Sequence, residues 1–351
     1  MKTYGNLYEK LCCMENLRLA YKKVRKGKSN KWYTKEFESD LENNLLKLKQ
    51  ELQNLTYEPR PLRTFVIRDP KSRVISASAF RDRVVHHALC NIIEPISEKM
   101  FIFDSYANRK GKGTHAAIKR FDEFKRKVSR NGRLVNGAKF DSMVIGYVLK
   151  ADIRHYFQEV NHCILLGMLK RKIQDEKILR LIQTILDNHK TFGKGMAIGN
   201  LTSQFFANVY LNELDYFVKH TLRAKYYIRY VDDFVILERS KEKLEFYKNR
   251  INEFLKGIKL ELHPEKSKIY PLHKGVTFLG FRIFYYHKLL KKSNMKHFMK
   301  RLGDFSELHS RGEISSVEIE ERVDGWLAYA THGNTYRLRE NIISRLGELM
   351  D

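Results

Sequence analysis

Four cysteines in 351 residues leave little material for disulfides or thiolate metal sites. Cys12, Cys13, Cys90 and Cys163 contain no C-x-x-C spacing, which argues against a zinc site or a disulfide framework. The thiols are expected to pack as small apolar side chains in a reducing compartment, the cytoplasm. No apolar run reaches the length of a membrane span, and Met1-Lys2-Thr3-Tyr4-Gly5 lacks a signal-peptide core, so no membrane partner is expected. Internal repeats and low-complexity linkers are also missing. Acids are scarce beside bases, 41 against 66, for a net charge of +25. So large an excess calls for a polyanionic partner whose binding weakens as salt rises. A merely soluble basic protein, or a ribosome-associated one, would carry the same charge, so charge alone does not name the partner. The hydrophobic content of 43% is enough for a packed core and two or three subdomains.

What is present is a pair of adjacent acids in Tyr230-Val231-Asp232-Asp233-Phe234. They fall between the apolar runs Tyr226–Tyr230 and Phe234–Leu237, whose β-branched and aromatic residues read as a short antiparallel hairpin with the acids at its tip. Two neighbouring carboxylates repel unless they share a cation, and hard divalent ions take oxygen ligands of this kind. An isolated Asp-Asp pair is usually a solvated turn. A third acid, however, ends the strand-like run Gly146-Tyr147-Val148-Leu149-Lys150-Ala151-Asp152-Ile153, with His155-Tyr156-Phe157 following. If the two runs neighbour each other in one sheet, Asp152, Asp232 and Asp233 converge. Such a cluster suits two metal ions and in-line phosphoryl transfer, which points to a nucleotidyl transferase.

Coarse elements surround these acids. Leu41, Leu45, Leu48, Leu52 and Leu55 fall at helical spacing within Ser39–Leu55, and Pro59 and Pro61 lead from that helix into a strand at Phe65–Ile67. Asn161 and His162 precede a helical pattern from Ile164 to Lys172, and a second helix is expected from Lys241 to Lys256, stopped by Gly257. Val128–Arg133 with Asn136-Gly137 reads as a surface loop. After Phe284 the chain turns basic, with His287-Lys288 and Lys291-Lys292, and is expected to be helical through Val323–Ala330.

The ordered motifs resemble those of reverse transcriptases. YVDDF is similar to the Tyr-x-Asp-Asp signature, and Asp152 with Tyr156-Phe157 to the first catalytic block. Ile67-Arg68-Asp69-Pro70-Lys71-Ser72-Arg73-Val74-Ile75 resembles the fingers hairpin that grips the incoming triphosphate. Phe80–Leu89 and Asp104–Thr114 resemble the next two blocks, and Phe278-Leu279-Gly280-Phe281 the primer-grip hairpin. The resemblance extends from about Leu7 to Arg339. It implies an α+β right-hand polymerase: fingers, a palm of antiparallel sheet with helices on one face, a helical thumb and no RNase H domain. The expected division is an N-terminal extension and fingers over 1–145, a palm over 146–284 that includes part of the fingers near 161–195, and a thumb over 285–351.

The same resemblance implies roles for particular residues. Asp152, Asp232 and Asp233 would be catalytic and, with the Ile153 carbonyl, would hold two Mg2+ ions. Lys71 and Arg73 would meet triphosphate oxygens, a task to which Arg brings bidentate geometry. Phe157 would lie under the incoming sugar and exclude a 2′-hydroxyl. Lys266 or Lys268 would protonate the departing pyrophosphate, and Phe278, Leu279 and Gly280 would grip the primer.

One block departs from the common pattern. Many reverse transcriptases read Gln-Gly-x-x-x-Ser-Pro where this chain has Ile198-Gly199-Asn200-Leu201-Thr202-Ser203-Gln204. Ile198 stands for the glutamine that contacts the incoming nucleotide, and Gln204 for the proline. Discrimination built on a polar contact falls when the contact is removed, so reduced fidelity is expected. Ile-Gly-Asn-Leu-Thr-Ser-Gln, together with Arg109-Lys110-Gly111-Lys112-Gly113-Thr114-His115, resembles the reverse transcriptases of diversity-generating retroelements. That resemblance implies cDNA synthesis on a structured template-repeat RNA, with dNTPs and a cDNA primer duplex, misincorporation opposite adenines, and a small basic accessory protein. The alternative is an antiphage-defence reverse transcriptase that copies a noncoding RNA.

Overall fold

A computed structural model describes residues 3–68, 72–189 and 192–350. The chain separates into two compact units, one made of Met1–Lys110, Ala151–Phe234 and Tyr247–Lys266, the other of Gly111–Lys150, Val235–Phe246 and Ser267–Asp351. Among the described residues no helix is long and apolar enough to cross a membrane.

In the first unit, the helix Leu41–Gln53 buries Leu45, Leu48 and Leu52, the stripe predicted from spacing. The chain then enters β1 (Arg63–Ile67), which pairs antiparallel with β2 (Arg73–Ala77) from Arg63↔Ala77 to Ile67↔Arg73. Every residue of β1 is exposed. The helices Phe80–Glu98 and Leu201–Tyr216 pack on each other at the centre of this unit. Leu201–Tyr216 is buried on nearly all sides, as expected of an interior helix. The helix His162–Lys170 is capped by Asn161, whose side chain accepts from the Ile164 N–H at 3.1 Å.

The remaining strands are β3 (Tyr147–Asp152), β4 (Tyr226–Tyr230), β5 (Asp233–Glu238), β6 (Lys268–Pro271), β7 (Val276–Phe278), β8 (Phe281–Ile283) and β9 (Lys288–Leu290). One sheet has the order β4-β5-β3-β6, and another the order β7-β8-β9. β3 and β6 run antiparallel, Tyr147 opposite Pro271 and Lys150 opposite Lys268. The boundaries of the two units fall within β3 and β5.

In the second unit, three helices, Lys292–Ser310, Ser316–Ala330 and Tyr336–Met350, enclose a small core of Phe298, Leu302, Phe305, Val323 and Ile342. Trp326 stacks on Phe298 with ring centroids 3.9 Å apart. Helix was expected immediately after Phe284, but Lys288–Leu290 is strand β9, paired with β8. Basic residues indicate a solvated face without distinguishing strand from helix. Here Lys288 exchanges hydrogen bonds with Asn334, whose N–H donates to the Lys288 carbonyl at 2.7 Å. The stretch read as a surface loop is turn after the helix that ends at Val128, and the two residues between its parts are anchored. Leu134 bridges Val144, and the Val135 N–H donates to the Met143 carbonyl at 2.8 Å.

The root of the β1–β2 hairpin is tied down by one buried amide. Both the N–H and the hydroxyl of Ser78 donate to Asn200 Oδ1, at 3.2 and 2.9 Å. Asn200→Ala leaves these buried donors without an acceptor and is expected to cost about 2–3 kcal/mol of stability. Urea denaturation of the full chain measures it, and an unchanged midpoint would show that the bonds contribute nothing net.

Candidate active site

The acids at 232 and 233 owe their placement to a two-residue turn. β4 ends at Tyr230 and β5 begins at Asp233, so Val231 and Asp232 alone reverse the chain. Val231 has φ of +54°. That region is unfavourable for a β-branched residue and costs about 1–3 kcal/mol. Strain of this kind persists where surrounding contacts over-determine the backbone, which is common at functional sites.

Asp152 arrives from the end of β3, and the backbone joins it to the turn. The Ile153 N–H donates to the Asp232 carbonyl at 3.2 Å. On the other side, the His263 N–H donates to the Asp152 carbonyl at 2.7 Å and the Arg154 N–H to the Glu261 carbonyl at 3.0 Å. These bonds carry the chain to Lys266, whose Nζ lies 3.2 Å from Asp152 Oδ1. Spacing left Lys266 and Lys268 as alternatives, and their surroundings differ. Lys266 ion-pairs with the acid, whereas Lys268 is an exposed residue of β6 opposite Lys150.

The electrostatics are those of crowded carboxylates. Burial pushes the Asp232 carboxyl up to about 6, and the neighbouring charges of Asp152 and Asp233 push in the same direction. A backbone hydrogen bond within Asp232 and the Lys266 ammonium oppose the rise without cancelling it. A cation held between these carboxylates would relieve the repulsion, so the residues fit a hard divalent ion. Among the described residues no group of three His, Cys, Asp or Glu side chains stands ready to hold a metal on its own. Mg2+ usually takes one or two carboxylates and completes its shell with substrate phosphates and water, and Asp152 and Asp232 meet that requirement.

The block around Ile198 is bonded to Phe157 and to β2 within the same unit. The Met196 N–H donates to the Phe157 carbonyl at 2.7 Å, and the Ser76 N–H to the Ile198 carbonyl at 2.9 Å. Phe157 is half-buried beside Tyr156, ring centroids 5.4 Å apart. Gly199 has φ of +117°, and a Cβ there would approach Ile75 Cγ2 to 2.8 Å, so only glycine fits beneath β2. Arg73 shares the β2 face with Ile75 by strand alternation, which brings it to the Gly199 side. Gln204 is half-buried in the first turn of Leu201–Tyr216. Lys71 lies outside the described residues.

The expected primer-grip residues are a turn of the second unit, between β7 and β8. Phe278 is fully buried, 6.0 Å from the Phe121 ring centroid, so its side chain is core. Leu279 and Gly280 are the accessible part, both with positive φ, and the Gly280 carbonyl accepts from Tyr329 Oη at 3.3 Å. Sequence reasoning passed over Asn200 and Ser78, which fix the β2 root, and also Arg229, a fully buried cation on β4. Asn200 had a usable signal, lying inside the singled-out block; Arg229 had none beyond being a charge in an apolar strand.

The reverse transcriptase (RNA-dependent DNA polymerase) family profile matches residues 67–283. Protein YkfC of Escherichia coli (strain K12) is 26% identical over 314 residues, covering 77% of this chain and 77% of that protein. The group II intron-encoded protein LtrA of Lactococcus lactis subsp. cremoris is 25% identical over 316 residues, 69% of this chain, which thus spans 50% of LtrA. Among solved structures, telomerase from Candida albicans in complex with a TWJ fragment of telomeric RNA matches 73% of this chain and 52% of its own, with a TM-score of 0.48 and 11% identity.

The raised Asp232 carboxyl has a measurable consequence. Its folded value, about 6, lies above the ordinary aspartate value of 3.8, so between those pH values the folded state holds a proton that the unfolded state has lost. Stability therefore falls as pH rises from about 4 through about 6 and stays lowered above that. In metal-free buffer, Asp232→Asn should raise the stability by about 1–3 kcal/mol at pH 7–8, with the gain vanishing near pH 4. Thermal melts with EDTA across that range check it. A variant no more stable than wild type at pH 8 would contradict the crowding.

Proposed function

We propose, from the premise that this chain belongs to the reverse transcriptase (RNA-dependent DNA polymerase) family, that it is the polymerase of a diversity-generating retroelement. It is an RNA-directed DNA polymerase with the α+β right-hand polymerase fold of that family. In the fuller reading, residues 1–145 are the N-terminal extension and fingers, 146–284 the palm and 285–351 the thumb. The observation that supports the reading is the backbone bond from the Ile153 N–H to the Asp232 carbonyl, which ties the Asp232 turn to the residue after Asp152.

Asp152 and Asp232 would hold Mg2+, with Asp233 adjacent and the Ile153 carbonyl available as a further oxygen ligand. Two such ions, when bound, supply charge stabilisation for the attacking and leaving oxygens. Arg73, with Lys71, orients the triphosphate. Phe157 walls off the 2′ position of the sugar. Lys266 Nζ, 3.2 Å from Asp152, is the stronger candidate of the two lysines to give a proton to the leaving pyrophosphate oxygen. Leu279 and Gly280 offer backbone to the primer.

Template binding is supported by a cleft of about 820 Å³ in the first unit, lined by Trp32, Tyr33, Phe65, Lys47 and Arg63 among others. Trp32 is 66% and Phe65 43% exposed, as suits faces on which unpaired bases stack beside cations that follow the phosphates. The low-fidelity reading is supported at Ile198. Its backbone carbonyl is already taken by Ser76, and its side chain brings no hydrogen-bonding group to an incoming base. Under this reading the partners are a structured template RNA, its cDNA primer duplex, dNTPs and a small basic accessory protein, in the cytoplasm.

Purified protein with Mg2+, primed mixed-sequence RNA and dNTPs should yield cDNA, and Asp232→Ala should yield none while binding RNA as wild type does. Extension by Asp232→Ala would refute the metal-site assignment. Sequencing of the wild-type cDNA should find errors concentrated opposite template adenines. Accurate cDNA, or repetitive product, would instead favour the antiphage-defence reading. Ile198→Gln should lower misincorporation several-fold, and an unchanged error spectrum would separate this block from fidelity.

A further inference from the structure

Arg229 has no exposed surface, and neither has Asp215, its partner. The guanidinium meets the carboxylate as a fork, Nε to Oδ1 at 2.7 Å and Nη2 to Oδ2 at 2.6 Å. Tyr227 Oη donates to the same Oδ1 at 2.7 Å. Around Arg229 the main chain is equally fixed, its N–H donating to the Asp104 carbonyl at 3.0 Å and its carbonyl accepting from the Tyr106 N–H at 2.9 Å. Buried ion pairs are weak sources of stability, because desolvation offsets most of the attraction and well-packed apolar residues often do as well. A different reason to keep one here is what the third guanidinium nitrogen does. Nη1 donates to Asn208 Oδ1 at 3.1 Å and to the Val231 carbonyl at 3.2 Å. Asn208 is itself held, its Nδ2 donating to the Ala107 carbonyl at 2.8 Å.

The Val231 carbonyl belongs to the peptide that enters Asp232, and the Asp232 carbonyl to the peptide that leaves it. Arg229 pins the first and the Ile153 N–H pins the second. With both flanking peptides fixed, the Cα–Cβ direction of Asp232 is fixed as well, even though Val231 is held at an unfavourable φ of +54°. We infer that Arg229, locked by Asp215 and Asn208, is a positioning residue that holds the strained turn so that the Asp232 carboxylate stays aimed at the reacting centre. The inference rests on the polymerase reading above and adds to it a residue that never touches substrate.

Removing Arg229 alone would strand a buried carboxylate and risks unfolding, so the test uses the charge-neutral pair Asp215→Asn/Arg229→Gln. The amides keep hydrogen bonds to each other and to Tyr227, while glutamine lacks the second arm that reaches Val231. Primer extension is followed against Mg2+ concentration, normalised to active enzyme by a single-turnover burst, beside the melting temperature and the primer–template Kd. The expected result is a fall in kcat of tenfold or more and a several-fold higher half-saturating Mg2+, with Kd unchanged. Arg229→Lys, which keeps the charge but not the fork, should fall between. A folded double variant with wild-type kcat and wild-type Mg2+ dependence would overturn the inference. So would a lowered melting temperature with full kcat per active molecule, the pattern of a merely structural pair. Wild type failing to extend in the same assay would remove the polymerase reading, and this inference with it.

Discussion

Like charges held close together in a partly dry place set the terms for the rest of this molecule. The Asp232 carboxyl is buried and faces Asp152 and Asp233, and its titration is displaced upward to about 6 for that reason. Left to itself, such a group would protonate or swing into water. The backbone prevents the second outcome. The turn is too short to relax, and the peptides before and after Asp232 are bonded to Arg229 and Ile153. Lys266 softens the repulsion at Asp152, and the remaining excess of negative charge is what a divalent cation would meet on arrival.

The same constraint explains why polar groups lie so deep in the first unit. Asp215, Asn208 and Asp104 are buried polar residues that a hydrophobic core would normally exclude. The Asp215 and Asn208 side chains accept from the Arg229 guanidinium, whereas Asp104 reaches Arg229 through its main-chain carbonyl, its carboxylate meeting Lys219. A network satisfied in this way is rigid, and under the proposed reading that rigidity would hold the Asp232 carboxylate in one geometry for a metal ion.

A second constraint operates at the Ile198 block. β2 lies so close over Gly199 that any side chain there would strike Ile75, and the Ile198 carbonyl and Asn200 amide both bond back to the strand's root. A residue at position 198 therefore contributes to base selection through its side chain alone, its carbonyl being engaged. With isoleucine in place the wall is apolar, and shape remains without a hydrogen bond to report mispairing. The proposed loss of fidelity thus follows from a single side chain on an otherwise tightly held loop.

Local features of the chain were legible without coordinates. Leucine spacing located the helix Leu41–Gln53, alternating β-branched and aromatic residues located β3, β4 and β5, and the acids fell at the ends of those strands, because helical and strand periods are written in neighbouring residues. Composition likewise established a basic chain with few thiols. Choices between distant residues were not legible. Lys266 differs from Lys268 only because strand pairing carries it to Asp152, 114 positions earlier. Phe278 reads as an accessible grip residue until Phe121 covers it, and Lys288–Leu290 is strand only because β8 lies beside it. Arg229 looks like a stray charge until Asp215, Asn208 and the Val231 carbonyl close around it. The sequence by itself determined which chemistry is available and roughly where each strand and helix runs, since those depend on contacts a few residues apart. Only the tertiary structure decided which side chains meet, because burial and pairing join residues whose separation along the chain leaves no periodic trace.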